Sequence, residues 1–168
     1  MRRHSVIGIA LAAMMLPALA GNALAGASLG AGVHYLHNLG EIEESGFENN
    51  SYSVLGSLLW SGPMLKFEAQ LEYMFDMMGT DEGAFLPQAY ALIGGMIYGG
   101  LGIGLVNFDG EWADNPFYNL RAGVNLPLGG LGLDAYATYQ FWSDDQLEDL
   151  TGDDLDSITF AAVLRFGM

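Results

Sequence analysis

The segment that decides the fold is Leu65-Lys66-Phe67-Glu68-Ala69-Gln70-Leu71-Glu72-Tyr73-Met74-Phe75-Asp76, residues 65–76. Every odd-numbered position in it is apolar, whereas the even-numbered positions are charged or amide side chains apart from Met74. Successive side chains of a β-strand point to opposite faces, so this period of two predicts a strand with one apolar face.

The same alternation returns along most of the chain, although the sequence does not assign the facing of residues 86–97. Residues 83–108 carry no charge and are long enough for a membrane helix. They contain Pro87 and seven glycines, which disfavour a helix and favour two strands joined by a turn. The predicted strands are residues 28–38, 50–61, 64–75, 86–97, 100–109, 116–127, 131–142 and 157–166.

The connections between these strands alternate in length and chemistry. The second, fourth and sixth are tight turns at Ser61-Gly62-Pro63, Tyr98-Gly99-Gly100 and Leu128-Gly129-Gly130. The other four are longer and hold sixteen of the twenty acidic residues. An up-and-down meander places all four acidic connections at one end, which is the loop asymmetry of outer-membrane barrels.

The length of the strands and the positions of their aromatic residues indicate a membrane environment. A tilted strand of roughly 9–11 residues crosses the hydrocarbon layer, and a sheet edge in lipid would leave its amides unpaired, so closure is required. The sequence therefore predicts an all-β, eight-stranded antiparallel up-and-down transmembrane β-barrel. Its predicted aromatic girdles are Tyr35, Tyr52, Tyr73, Tyr118 and Tyr139 at the loop ends and Trp60, Phe67 and Phe166 at the turn ends.

The N-terminal residues predict export from the cytoplasm. Arg2 and Arg3 precede an apolar run, and Ala23-Leu24-Ala25 is a small-x-small cleavage site. We therefore expect residues 1–25 to be a cleaved signal peptide and residues 26–168 to form one barrel domain. Beyond Ala25 the chain has three Lys or Arg residues against twenty acids, a net charge of −17, which disfavours nucleic acid as a partner.

These features resemble the small eight-stranded outer-membrane β-barrel family, the group typified by the transmembrane domain of outer membrane protein A. The most specific part is Phe160-Ala161-Ala162-Val163-Leu164-Arg165-Phe166, which is similar to the signal read by the barrel-assembly machinery, although Gly167 and Met168 follow the final aromatic. The resemblance implies an integral outer-membrane location, with membrane lipids, lipopolysaccharide and that machinery as partners. It implies no cofactor and transfers no catalytic residue.

The charged residues on the non-lipid face of the predicted strands suggest a network inside the barrel. If the last two strands pair about a loop centred near residue 149, Asp134 and Arg165 lie directly opposite each other. An eight-stranded barrel encloses little more than side chains, so we expect a packed lumen, with a narrow pore as the alternative. The predicted network comprises Lys66, Glu68, Glu72, Arg121, Asp134 and Arg165.

Two further groups of residues leave other functions open. His34 and His37 near the outer end of the first strand would suit a lipid-modifying enzyme, but no serine is marked as their partner. The acidic run of the seventh connection is a possible divalent-cation site without EF-hand spacing: Asp144, Asp145, Glu148, Asp149, Asp153 and Asp154. We expect a structural or interaction protein that presents acidic surface loops in envelope integrity or adhesion, with a soluble lipocalin-like carrier as the rival fold.

Overall fold

The computed structural model describes residues 26–38, 50–75, 83–142 and 157–167. The predicted signal peptide lies outside the described residues. The strands are β1 (Ala27–Asn38), β2 (Asn50–Ser61), β3 (Leu65–Met74), β4 (Ala84–Gly94), β5 (Ile97–Gly104), β6 (Asn107–Phe108), β7 (Glu111–Trp112), β8 (Phe117–Pro127), β9 (Leu131–Trp142) and β10 (Ser157–Phe166).

Eight long strands form one antiparallel sheet that closes on itself. Strands β1, β2, β3, β4, β5, β8, β9 and β10 each pair with the next in this order, and β10 pairs back with β1. The predicted eight-stranded up-and-down barrel is therefore confirmed. No helix in the described part of the chain is long and apolar enough to span a membrane.

The outward face of the strands is apolar, and the lumen face carries the polar and charged side chains together with some apolar ones. In β3, Phe67 and Leu71 are about half exposed, at 51% and 49%, whereas Glu68 and Glu72 are buried. A soluble carrier of the lipocalin type needs the opposite facing, because its apolar side lines a ligand cavity. Apolar residues outside and polar residues inside are typical of a transmembrane barrel.

The turn between β4 and β5 lies before the predicted position. The sequence predicted it at Tyr98-Gly99-Gly100, but β4 ends at Gly94 and β5 begins at Ile97. Gly94 has a φ of +122°, a conformation that favours glycine. The later glycine pair lies within β5, where a Cβ on Gly100 would collide with β4. Gly100 thus serves strand packing, and the pair was wrongly interpreted as a turn.

The fifth connection contains a short hairpin that the sequence prediction missed. The predicted strand over residues 100–109 is interrupted after Gly104, where Leu105 N donates to Pro87 O and the proline has no amide hydrogen to return the bond. Strand β6 resumes the same register on β4 and then pairs with β7. Asp109 and Gly110 connect them with φ values of 48° and 79°, as a type I′ turn requires.

The lumen is layered along the barrel axis. We call the end with the β2–β3, β4–β5 and β8–β9 connections the turn end, and the opposite end the loop end. A buried apolar layer lies at the loop end and is covered by Phe108 and Ala113 of the hairpin region. Below it lie the polar and charged side chains described next. The apolar layer comprises Leu36, Met74, Ala84, Leu86, Val106 and Phe117.

Candidate functional site

A buried charge network occupies the turn half of the lumen, with Glu68 between two arginines. Arg121 Nη1 donates to Glu68 Oε2 at 2.9 Å, and Arg165 Nη2 donates to Glu68 Oε1 at 2.8 Å. Arg165 Nε also donates to Asp134 Oδ2 at 2.7 Å. The structure thus brings together four of the six residues of the predicted network as one chain of alternating charges.

The register of Asp134 and Arg165 differs from the sequence prediction. We expected the two residues to be directly opposite, but β10 pairs Val163 with Asp134 and Arg165 with Gly132. The offset of two residues makes the contact diagonal, and the long guanidinium spans it. The length of the connection between β9 and β10 did not fix this register, because pairing about a centre one residue earlier in the chain is equally compatible with it.

Arg121 is held from several sides at the centre of the barrel. Its guanidinium carbon lies 3.5 Å from the centroid of the Tyr90 ring and 3.8 Å from that of Tyr136. Arg121 Nη2 donates to Gln70 Oε1 at 2.9 Å, and Tyr136 donates its hydroxyl hydrogen to the same oxygen. Stacking between two rings combined with charged hydrogen bonds fixes the orientation of this side chain.

Glycines on the inner face of β5 and β8 make room for the aromatic rings. A Cβ on Gly102 would collide with the ring of Tyr90, and one on Gly123 would lie 2.6 Å from Tyr136 Cβ. The sequence analysis did not identify these tyrosines as lumen residues. For Tyr136 the parity that it shares with Asp134 in β9 was the available signal, whereas Tyr90 lies in residues 86–97, whose facing the sequence did not assign. The glycines opposite both rings are recognisable only in the folded sheet.

Glu72 organises a second polar cluster between the charge network and the apolar layer. Gln88 Nε2 donates to Glu72 Oε2 at 2.7 Å, and the hydroxyl of Ser53 donates to Glu72 Oε1. His34 Nδ1 lies 2.9 Å from Glu72 Oε2, an ion-pair distance if the imidazole is protonated, although no well-aligned hydrogen bond forms there. The cluster is buried and connects β1, β2, β3 and β4.

The two candidate histidines face different surroundings. His34 is buried in the lumen, whereas His37 is exposed and its Nδ1 lies 2.8 Å from Asn50 Oδ1. Ser53 is the cross-strand neighbour of His34, but its hydroxyl hydrogen bonds to Glu72 and not to the imidazole. This connectivity differs from a hydrolase triad, in which the base takes the proton of the nucleophile.

Lys66 lies at the margin of the predicted network. Its Nζ donates to Gly95 O at 2.8 Å and lies 5.2 Å from the centroid of the Tyr98 ring. Tyr98 in turn donates its hydroxyl hydrogen to Asp134 Oδ1 at 2.7 Å. Lys66 is only partly buried and is bonded to the β4–β5 turn, so it lies at the turn end of the lumen, where the charge network meets the surroundings of the barrel.

The side chains in the lumen form a plug. Arg165, Gln70, Asn119 and Asp134 are among the fully buried residues, and the apolar layer with Phe117 closes the loop end above them. A conducting pore needs a continuous aqueous path between the two ends. The packed layers therefore favour a closed barrel over the pore alternative.

The aromatic residues of the predicted girdles lie on the outer face at the two ends of the barrel. At the loop end Tyr35 contacts Tyr52 with ring centroids 5.2 Å apart, and Tyr118 and Tyr139 each stack on Phe141. The ring centroids of Tyr73 and Phe85 lie 5.1 Å apart. The exposed Trp112 of the hairpin lies at the same height along the barrel axis, because Asn107 pairs with Phe85 on one side and with Trp112 on the other. Trp60 pairs with Phe67 at the turn end, and Phe166 is about half exposed.

The predicted cation-binding run from Asp144 to Asp154 lies outside the described residues. The hairpin region gives three described acids at the loop end, Asp109, Glu111 and Asp114, and all are exposed. In the described ranges, no group of three or more histidine or acidic side chains is arranged to hold a metal ion.

Comparison with known proteins identifies the fold. No family model and no curated protein matches the chain. The crystal structure of neisserial surface protein A matches with a TM-score of 0.61 at 15% identity, covering 85% of this chain and 97% of that one. The attachment invasion locus protein Ail of Yersinia pestis has a TM-score of 0.48 at 11% identity, covering 83% and 97% of the two chains. A de novo designed transmembrane β-barrel has a TM-score of 0.47 at 10% identity, with coverage of 82% and 94%. The chain therefore has the fold of the small eight-stranded outer-membrane barrels.

Proposed function

We propose that this protein is an integral outer-membrane barrel that anchors acidic connections at the cell surface and acts there as a structural or interaction protein. The observation that carries this proposal is the division of the described barrel into an apolar outside and a filled, hydrogen-bonded inside. An apolar exterior suits acyl chains, and a filled lumen suits an anchor. Surface chemistry is then left to the connections at the loop end.

Three further observations support the location. The fold is shared with neisserial surface protein A, whose name places that protein at a surface. The N-terminal sequence has the features of an export signal. The last strand, β10, ends on the outward-facing Phe166, in keeping with docking to the barrel-assembly machinery.

Charge suggests the partner of the loop end. The four acidic connections carry sixteen carboxylates, and lipopolysaccharide presents anionic phosphates at the same surface. Divalent cations bind carboxylate oxygens and can bridge them to phosphate oxygens. We therefore propose cation-bridged contact with lipopolysaccharide, with envelope integrity or adhesion as its consequence.

Membrane fractionation combined with gel migration tests the location and the closed barrel. We expect the protein in the outer-membrane fraction, with boiled and unboiled samples migrating differently because a closed barrel resists detergent until it is heated. A water-soluble protein whose migration does not depend on heating would refute the proposal.

Protease sensitivity of the surface connections tests the cation bridge. We expect a chelator to increase cleavage within residues 143–156 on intact cells. A variant with Asp144, Asp145, Glu148 and Asp149 changed to Asn or Gln should be cleaved at the same rate with and without chelator. A matched variant with Asp109 and Asp114 changed to Asn should keep the chelator effect in that segment. Unchanged cleavage of the native protein in chelator would contradict the bridge.

A further inference from the structure

The turn end of the barrel presents large apolar side chains to its surroundings. We define the turn rim as residues 61–65, 94–97 and 127–131, the three tight connections. Met64, Met96 and Leu128 at their tips are 68%, 59% and 54% exposed. The turn rim contains no charged residue, whereas the hairpin at the loop end exposes Asp109 and Glu111. The two ends of the described barrel thus differ in chemistry.

The backbone of the turn rim forms hydrogen bonds within the turns, between two of them and with the neighbouring strand β8. Gly94 N donates to Met64 O at 3.0 Å, and Asn125 N donates to Met96 O at 2.7 Å. Within the last turn, Leu128 N donates to Leu131 O at 2.7 Å. A backbone that faces lipid must satisfy its polar groups internally, because hydrocarbon offers no partner for them. This bonding pattern suits a chain that leaves water.

The apolar outer surface of the strands continues into these tips. Leu65 is 48% exposed beside Met64, and Ile93 and Ile97 are 59% and 75% exposed on either side of Met96. A contiguous exposed apolar surface indicates contact with a membrane or a partner. The outward-facing side chains between the strand surface and the tips include no charged residue, so we expect the same surroundings to cover both.

Lys66 supplies the charge that such a boundary requires. Its Nζ is held at the turn rim by the hydrogen bond to Gly95 O, and the side chain is only partly buried. Lysine near a membrane surface places its apolar stem along apolar atoms and its ammonium group at the level of the lipid headgroups. A phosphate group of a phospholipid is the complementary anion there.

We propose that the turn rim is a membrane-inserted surface, with Met64, Met96 and Leu128 lying where phospholipid acyl chains meet the headgroups and Lys66 facing a headgroup phosphate. This inference rests on the proposed function as a membrane barrel and adds that the periplasmic-side leaflet, and not water or a protein, covers the turns. The barrel then lies deep in the membrane on the periplasmic side, and its loop end projects from the outer surface of the membrane.

Cysteine labelling in lipid nanodiscs tests the proposal, because both faces of the disc are open to solution. The chain has no cysteine, so Met64→Cys and Met96→Cys each report one tip, and Glu111→Cys at the loop end is the matched exposed control. The protein is placed, one barrel per disc, in discs of phosphatidylethanolamine and phosphatidylglycerol. We expect a water-soluble maleimide to label both tips about tenfold more slowly than the control, a factor equivalent to about 1.4 kcal/mol for keeping one apolar side chain from water.

Heat-modifiable gel migration of the same samples separates this inference from the proposed function. If the variants form closed, lipid-inserted barrels but their tips are labelled as fast as position 111, the turn rim lies in water and only this inference fails. If protection appears solely in discs that hold two barrels, a second copy covers the rim and the inference is overturned. If no barrel inserts, both proposals fail.

Discussion

Replacement of Arg165 by methionine tests whether the lumen network stabilises the barrel. Arg165 is fully buried and donates to Glu68, Asp134 and Ser57. Without it Glu68 still has Arg121, whereas Asp134 keeps only the hydroxyl of Tyr98 among the contacts described above. Removing one partner of a buried ion pair leaves an uncompensated charge, so we expect Arg165→Met to lower the free energy of unfolding by about 3–5 kcal/mol.

A second substitution in the Arg165→Met background identifies the stranded carboxylate as the cause. In the Arg165→Met background, Asp134→Asn removes the uncompensated charge and can still bond to Tyr98, so we expect it to restore about 1–3 kcal/mol. Leu164→Met, on the outer face next to Arg165, is the control and should change stability by less than about 0.5 kcal/mol. Urea unfolding of the folded barrel in lipid measures all of these. A loss below about 1 kcal/mol for Arg165→Met, or an Asp134→Asn change that adds to the loss, would refute this reasoning.

Two other substitutions test packing and facing. Gly102→Val should lower the free energy of unfolding by about 1–3 kcal/mol because the valine side chain meets the Tyr90 ring. Gly99→Val on the outer face of β5 is the control and should be tolerated. Equal urea midpoints for the two variants would contradict the interior packing. Leu101→Lys should cost about 2–4 kcal/mol because it places a charge on the lipid face, whereas Glu111→Lys at the loop end should be nearly neutral in the same assay; a well-tolerated Leu101→Lys would indicate that this face meets water.

The strands could be predicted from the sequence because their two faces meet different solvents. Along residues 65–75 the alternation is nearly unbroken, and β3 has the predicted facing. Residues 86–97 were predicted as a strand without a facing, because the inward side of β4 holds Leu86, Tyr90 and Leu92 beside Gln88, so both faces are largely apolar. In β4 the facing therefore depends on which side chains pack inside the closed barrel and cannot be read from the hydropathy of the strand.

The turn and the hairpin show what local signals miss. Gly94-Gly95 and Gly99-Gly100 are equivalent as sequence, and only the Leu92 side chain packed against Gly100 shows which pair belongs in a strand. Asp109-Gly110 is a strong local hairpin signal. The sequence analysis placed Asp109 at the end of a predicted strand and in an acidic connection. The break that separates β5 from β6 lies opposite Pro87 of the neighbouring strand β4, so it is not visible in the local sequence.

The lumen contacts depend on how far each strand is shifted along its neighbour. Parity alone places Glu68, Arg121, Asp134 and Arg165 inside the barrel. It does not say that Glu68 bridges both arginines, since these residues come from four strands and the sheet must close before they meet. Residues of the lumen can therefore be predicted from a sequence more readily than their partners.

Spin labels at Leu71, Val124 and Leu164 test the central claim, that the apolar side of each strand meets acyl chains. All three side chains point outward and are 49%, 37% and 46% exposed in the barrel. In the lipid-reconstituted protein, we expect their nitroxides to collide more often with lipid-soluble oxygen than with a water-soluble nickel chelate. Preferential collision with the nickel chelate at these three positions would contradict the account.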